Sequence, residues 1–403
     1  MRLAALTGMG LAMTLCGGAA AAAVLSDLEL GEPVRAARHA PLVLDAVTDT
    51  SNGELITPDE LARRLAGVQI LFVGEEHTDL DAHRVQARVI EALHRAGRRV
   101  LIGLEMFPTT QQEVLDRWRA GWFTEDGFVK LSDWYESWGY PWAYYREIFL
   151  FAHDHRLELR GVNVPREVVA TVRARGFDAL TAAQRRLLPE GIDTGDAGFR
   201  TLFRASFESG DALHARLSPE QLEGMLRAQA TWDAAMGWNA AQAVQATKDP
   251  NAIIVVLIGT GHVSYGLGAA RQLRGRFAGR VSSLIPVAVR DPEGREVSQV
   301  RASYADFVWG IPEQKAPELP WLGVSLAGRL GTSPTKVIQV SEGSPAARAG
   351  LAVGDILLAL DGEMIDSFGR LRELTAACRW GDVARVRLER DGKPLELEVA
   401  FRR

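Results

Sequence analysis

Residues 68–83 read VQILFVGEEHTDLDAH, and this stretch decides the fold. A near-continuous apolar run, VQILFVG (68–74), stops at Gly74. Such a run is how a parallel strand buried on both faces reads, because neither side of the pleat needs polar residues. Glu75, Glu76 and His77 follow, and then an acidic stretch opens a helical pattern. Thr78 and Asp79 read as helix starters, since their side-chain oxygens accept the orphan N–H groups of a first turn. In an open parallel sheet, ligands bind beyond the carboxyl ends of the strands. Two carboxylates and an imidazole at such an end therefore mark one wall of a candidate site.

The same grammar repeats outward from this stretch. RRVLIGLEM (98–106), LELRGVN (157–163), AIIVVLIG (252–259) and RVSSLIPVAV (280–289) are strand-like. Helical patterns separate them: TDLDAHRVQARVIEALHRAG, TTQQEVLDRWRAG, PREVVATVRARG and GLGAARQLRGRF. Gly97 and Gly176 close helices and Pro165 opens one. Strand, crossover helix and strand in repetition predict an α/β fold with a largely parallel sheet and helices on both faces. Two segments exceed simple crossovers, an aromatic one at 121–156 and an Ala-, Gln- and Arg-rich helical one at 178–248. Together they are expected to form a helical insertion subdomain over one sheet edge, within an α/β domain spanning 42–309. GIPEQKAPELP (310–320) is Pro-rich without apolar period and reads as a linker. Residues 321–403 form a small β-rich domain, where Asp391-Gly392 between alternating strands signals a hairpin.

At 403 residues the chain exceeds the usual single core, consistent with two domains. A net charge of −5 without a long basic run argues against nucleic acid as a partner, since phosphate binding needs concentrated positive charge. At the N-terminus, Arg2 precedes LAALTGMGLAMTLCGGAAAAAV, which reads as a secretory signal peptide over 1–23. The expected location is periplasmic or exported. Leu15 is bulky where a lipid-attachment signal wants a small residue, which argues against anchoring at Cys16. Cys378 then remains the one cysteine of the exported chain, so no internal disulfide is expected. Outer-membrane association and a homodimer both stay open.

Four separate apolar runs deliver polar residues to the predicted strand ends. The first gives Glu75, Glu76 and His77; the second, ending LEMF, gives Glu105. The third gives Asn163 with Arg166 in the next helical turn, and the fourth gives His262 with Tyr265 close behind. His83 is expected to face outward or to pack. Glu75, His77, Glu105 and His262 could ligate a divalent metal ion through carboxylate oxygen and imidazole nitrogen. The same four could instead run acid–base catalysis, one Glu orienting a His. No HExxH, G-x-S-x-G, Walker loop or CxxC is present, and GTG at 259–261 is too short for a dinucleotide fingerprint.

GEEH and GTGH, two copies of G-x-x-H around an intervening LEMF, resemble the Tiki superfamily and its ChaN branch of haem-binding, iron-uptake-associated proteins. ELITPDELARRLAGVQILFVGEEH, LEMFPTTQQEVLDRW, YPWAYYREI, GVNVPREVV, AQATWDAAM and GTGHVSYGLGAARQL carry the same resemblance, over roughly 42–290. It implies that Glu75, His77, Glu105 and His262 form the superfamily's polar site, used in related proteins for metal-dependent proteolysis. It also implies haem held by tyrosine, with Tyr140, Tyr144, Tyr145 and Tyr265 as available ligands. Arg146 and Arg166 are candidates to meet the propionates.

The tail resembles a PDZ domain of the bacterial periplasmic protease type. LGV, residues Leu322, Gly323 and Val324, matches its carboxylate-binding loop, and EGSPAARAGLAVGDILLALDGEMI matches its core. That implies a protein C-terminal peptide as partner, added as a strand. Two functions follow as expectations. One is an exported haem-binding uptake protein whose PDZ module docks a partner; the other is a metal-dependent hydrolase whose PDZ module selects peptide substrates.

Overall fold

The computed structural model describes residues 25–208, 218–291, 293–314, 317–327 and 334–402. The expected signal peptide, with Cys16, lies outside the described residues. The chain divides into two compact units. The first holds Glu147–Lys315 and the chain before it up to Trp122; the second joins Phe123–Arg146 to the chain from Ala316 onward.

An eight-stranded sheet organises the first unit. Alongside a separate ribbon of β1 (His39–Pro41) and β9 (Gln299–Arg301), its strands are β2 (Val47–Asp49), β3 (Glu54–Ile56), β4 (Val68–Glu75), β5 (Arg99–Pro108), β6 (Glu158–Asn163), β7 (Ala252–Gly259), β8 (Arg280–Ala288) and β10 (Phe307–Ile311). Their order is β3-β2-β10-β8-β4-β7-β5-β6. The six from β10 to β6 are parallel, and β2 and β3 close one edge antiparallel. β4, β5 and β6 step outward, β7 returns between β4 and β5, and β8 goes to the far side of β4. This reversal places the ends of β4, β7 and β5 side by side. β10 takes Gly310 and Ile311, so the sheet extends into the segment read from sequence as a linker.

Burial explains the apolar runs. All eight residues of β7 are buried, and Ile254, Val256 and Ile258 share a core with Met236, Ala240 and Val244 of the helix Pro219–Ala246. Leu71, Val73, Val255 and Leu257 alternate with that face and are equally buried, so both sides of the sheet are covered. Each such side chain contributes roughly 1.5–3 kcal/mol on burial. The helix Leu80–Arg95 packs against β4 and β5 and buries Ala82, Val85, Val89, Ile90 and Leu93 at helical spacing. Asp79 starts it, its carboxylate accepting the N–H groups of Asp81 and Ala82.

The expected second insertion contains the helices Ala197–Glu208 and Pro219–Ala246 and stays with the sheet. Ser218 and Gln221 form a reciprocal cap on the 28-residue helix, with Pro219 in its first turn. This helix packs on β6, β7 and the helix Arg166–Arg175. Residues 123–146 of the first insertion do otherwise and belong to the second unit.

The second unit has β11 (Val324–Leu326) paired with β12 (Val337–Val340), and a sheet of β13 (Ile356–Leu360), β14 (Glu363–Met364), β15 (Val383–Arg390) and β16 (Lys393–Ala400) ordered β14-β13-β15-β16. Asp391 and Gly392, at φ 52° and 73°, turn β15 into β16. Both positive φ values are what a two-residue hairpin matching the strand twist requires. Leu322, Leu326, Val337, Leu357, Leu371, Val386, Val399 and Phe401 fill its core. Residues 123–146 carry their own aromatic packing, with Trp134 5.0 Å from Trp142 and 5.4 Å from Tyr145.

Candidate functional site

The adjacent ends of β4, β7 and β5 gather the polar residues. Glu75, last in β4, is buried; one carboxylate oxygen lies 2.7 Å from His77 Nδ1 and the other accepts from Gln86 Nε2 at 2.7 Å. His83 is buried in the next layer, with Nδ1 3.1 Å from Gln86 Oε1 and 3.6 Å from Glu75, and Nε2 3.2 Å from the His77 carbonyl. Glu105 enters from β5 where the ladder slips: Leu104 pairs with Gly161, yet Pro108 pairs with Asn163. The extra residues form a bulge, a common means of re-aiming a side chain beside a site. Glu105 Oε2 accepts the Gly259 N–H at 2.6 Å, while Asn163 Nδ2 donates to the Glu105 carbonyl at 2.9 Å.

His262 completes the group in the 3-10 turn after β7. Its Nε2 is 3.5 Å from Glu105 Oε1, and its Nδ1 is 2.6 Å from Asp233 Oδ1. The Gln229 amide approaches the same Nδ1 at 2.9 Å. Gly259 keeps the centre open: a Cβ there would stand 3.3 Å from His77 Nε2 and 3.7 Å from Glu105 Oε2. Glu75, His77, Glu105 and His262 thus share one cluster, with Glu105 reaching both histidine neighbourhoods.

Burial opposes the charged form of His77, but the Glu75 hydrogen bond and the charges of Glu105, Glu75 and Glu76 outweigh it, and its pKa is pushed up to about 9. His262 is raised too: burial opposes, and the Asp233 hydrogen bond with the Glu105 charge prevails. Burial raises Asp233, whose Oδ2 has no hydrogen-bond partner among the described residues. Such an arrangement can hold a histidine in one tautomer and move a proton at its Nε2.

Among the described residues, no group of three or more His, Cys, Asp or Glu side chains is arranged to hold a metal ion. Glu75 is turned to His77 and Gln86, and His262 Nδ1 to Asp233.

The aromatic candidates are placed differently. Tyr265 is buried, with φ 60°; its hydroxyl donates to the Leu25 carbonyl at 2.6 Å and accepts the Leu28 N–H at 2.8 Å. It clasps the N-terminal segment rather than joining the polar cluster. Tyr144 and Tyr145 are buried in the aromatic packing of 123–146, whereas Tyr140 is half-buried with its ring 5.3 Å from Trp138. Arg146 makes a two-pronged ion pair with Glu125 at 2.7 and 2.8 Å, and Arg166 is exposed in the first turn of its helix. Leu322 is buried, Gly323 takes φ 88°, and Val324 begins β11. A Cβ on Gly323 would stand 2.1 Å from Ser344 Cβ, so only glycine fits that loop.

Sequence reasoning missed Asp233, Gln229 and Gln86. A signal for the first existed: Asp233 is the one acidic residue between Gly224 and Ala246, in a helix otherwise rich in alanine.

Residues 61–273 match the family described as haem-binding uptake, Tiki superfamily, ChaN, and residues 320–401 match the PDZ domain family. Protein RETICULATA-RELATED 5, chloroplastic, of Arabidopsis thaliana is 27% identical over 262 residues, covering 61% of this chain and 34% of that protein. The periplasmic pH-dependent serine endoprotease DegQ of Escherichia coli is 43% identical over 65 residues, covering 16% of this chain and 14% of DegQ. The chain therefore spans about a third or less of the length of these relatives. Among solved structures, ChaN of Campylobacter jejuni, described with cofacial haem binding, superposes with TM-score 0.51 at 16% identity, covering 66% of this chain and 98% of that one.

Proposed function

The chain belongs to the ChaN family of haem-binding uptake proteins in the Tiki superfamily and carries a PDZ domain, and from that premise we propose that it is an exported protein that takes haem as cargo and docks a partner's C-terminus. The match over residues 61–273 carries this reading. Export rests on the signal-like sequence at 1–23. Haem needs a flat apolar surface, an axial donor and cationic groups near its propionates. Residues of one unit supply part of that list: Tyr140 beside Trp138 offers a half-buried phenol against an indole. Of the four candidate tyrosines, Tyr144, Tyr145 and Tyr265 are buried and Tyr140 is half-buried, which makes Tyr140 the one to test first. Haemin titration of the purified full chain should give a saturable Soret shift, weakened about tenfold or more, roughly 1.4 kcal/mol, by Tyr140→Phe. A non-saturating titration, or a Tyr140→Phe variant indistinguishable from the parent, defeats the assignment of that ligand or of haem itself.

One observation favours a second reading, a hydrolase working through the Glu/His cluster, with the PDZ domain presenting peptide tails. Asp233 holds His262 Nδ1 at 2.6 Å and leaves Nε2 beside Glu105. That is the orientation in which an imidazole takes a proton from an attacking water. Peptides with free C-termini should then be cleaved by the parent, and cleaved at least a hundredfold more slowly by Glu105→Gln and His262→Ala. Equal residual rates in parent and variants remove this reading.

A further inference from the structure

Residues 123–146 are inserted between elements of the haem-binding family match, yet they fold with the PDZ domain. The contact is specific. The helical turn Trp134–Ser137 lies against the helix Phe368–Ala376, and Glu136 Oε2 accepts the Gly369 N–H at 2.9 Å. Glu136 therefore satisfies an orphan donor in the first turn of that helix, where negative charge is favoured. One residue turn on, the Arg372 guanidinium stacks over Phe368 at 3.9 Å and donates to the Tyr135 carbonyl at 3.3 Å.

Two glycines allow this approach. A Cβ at Gly369 would meet Glu136 Oε2 at 2.5 Å and its Cα at 2.9 Å, and one at Gly139 would meet the end of Arg372. A glycine inside a helix costs about 1 kcal/mol relative to alanine, so its presence at 369 is explained by the docked turn rather than by the helix itself.

The docked helix also backs the peptide-binding elements. Leu371, with the partly buried Phe368 and Leu374, shares one core with Leu322, Val324 and Leu326. Among the described residues β11 pairs with β12 alone, leaving an edge to which a peptide strand can add. The helix Phe368–Ala376 thus touches both the core beneath β11 and the turn Trp134–Ser137. That turn continues into Trp138 and Tyr140, the half-buried aromatic pair.

We infer that the Glu136–Gly369 and Tyr135–Arg372 contacts form a clasp that links capture of a C-terminal peptide by the PDZ domain to the state of the aromatic segment 123–146. Resting on the haem reading above, the linkage then acts on cargo: peptide binding changes haem affinity, and haem changes peptide affinity by the same factor, since coupling free energy is reciprocal.

Two readouts on the full chain separate the linkage from the cargo assignment. The probe is a ten-residue peptide ending in valine, with its C-terminal amide as control, and binding is measured directly by fluorescence anisotropy. In hydrogen exchange, the acid-terminated peptide should change protection across 123–146, while the amide leaves it unchanged. In haemin titrations, saturating peptide should shift the haemin Kd about fivefold or more, with a matching shift of the peptide Kd. Glu136→Ala should abolish both responses while the peptide still binds. Gly369→Ala is the second variant: it favours the PDZ helix but excludes Glu136, so it should uncouple without unfolding. Unaltered exchange at 123–146 with peptide bound overturns the inference, as does failure of the acid-terminated peptide to bind. If haemin does not bind but 123–146 responds to peptide and Glu136→Ala silences it, the clasp stands and the cargo reading falls.

Discussion

His77 shows how one residue reports the whole cluster. Its pKa, pushed from the ordinary 6.5 to about 9, means that the folded state holds a proton which the unfolded chain gives up above 6.5. The sign follows: the stability contributed by the charged ring is complete below about 6.5 and is lost as pH rises through about 9. Its size is on the order of 3 kcal/mol, from 1.36 kcal/mol per unit. The His77 Cε1 proton should titrate near pH 9, and His77→Gln should flatten the decline of denaturation free energy between pH 7 and 9. A midpoint near 6.5 would show that Glu75 and Glu105 do not act on it as a pair. Asp233 offers a complementary case. Asn at this position keeps an oxygen for His262 Nδ1 and places an amide where Oδ2 lacks a partner. Asp233→Asn should therefore lower the His262 pKa and cost about 1–3 kcal/mol, since its amide N–H groups are buried without an acceptor, whereas Asp233→Ala should cost more, about 3–5 kcal/mol, because it removes the partner of a buried pair outright. Equal losses in urea denaturation would contradict this.

At the scale of elements, the helix Pro219–Ala246 carries Asp233 and Gln229 to the strand ends, and its seating depends on small residues. A Cβ at Gly224 would stand 2.5 Å from the Arg173 carbonyl. Gly224→Ala gains about 1 kcal/mol of helix propensity, yet it should destabilise the protein by roughly 1–3 kcal/mol in urea denaturation, as overpacking does, and move Asp233 from His262. A stabilised variant would mean that the two helices separate freely. This helix also marks where the sequence stops being legible. β4 and β7 could be read almost to the residue, because a strand covered on both faces must be apolar throughout. Glu75, His77, Glu105 and His262 were legible because they interrupt or follow those runs. Asp233 was not, since it lies mid-helix, far along the chain, and only the packing of that helix across the sheet brings it to His262. β2, β3 and β10 were missed for another reason. β2 and β3 are three-residue strands at the sheet's antiparallel edge, fixed by their partners rather than by an apolar run, and β10 is a five-residue run that overlaps the Pro-rich stretch.

At the scale of the molecule, two units with separate apolar cores imply that stability is not one quantity. Ile254, Val256 and Ile258 anchor the first core, and Val337, Leu357, Leu371 and Val386 the second. Gly323 tests the division, since it stands just before β11, at φ 88°, against Ser344. Valine there requires a strained backbone and collides with the Ser344 Cβ, so Gly323→Val should destabilise the second unit by about 2–4 kcal/mol. In differential scanning calorimetry one transition should move to lower temperature and the other stay in place. A saturating peptide with a free C-terminal valine should raise that same transition in the parent, by mass action on the folded state, and leave it unmoved in the variant. A single transition shifted as a whole would mean that the two cores melt as one, and the independence argued from their packing would be lost.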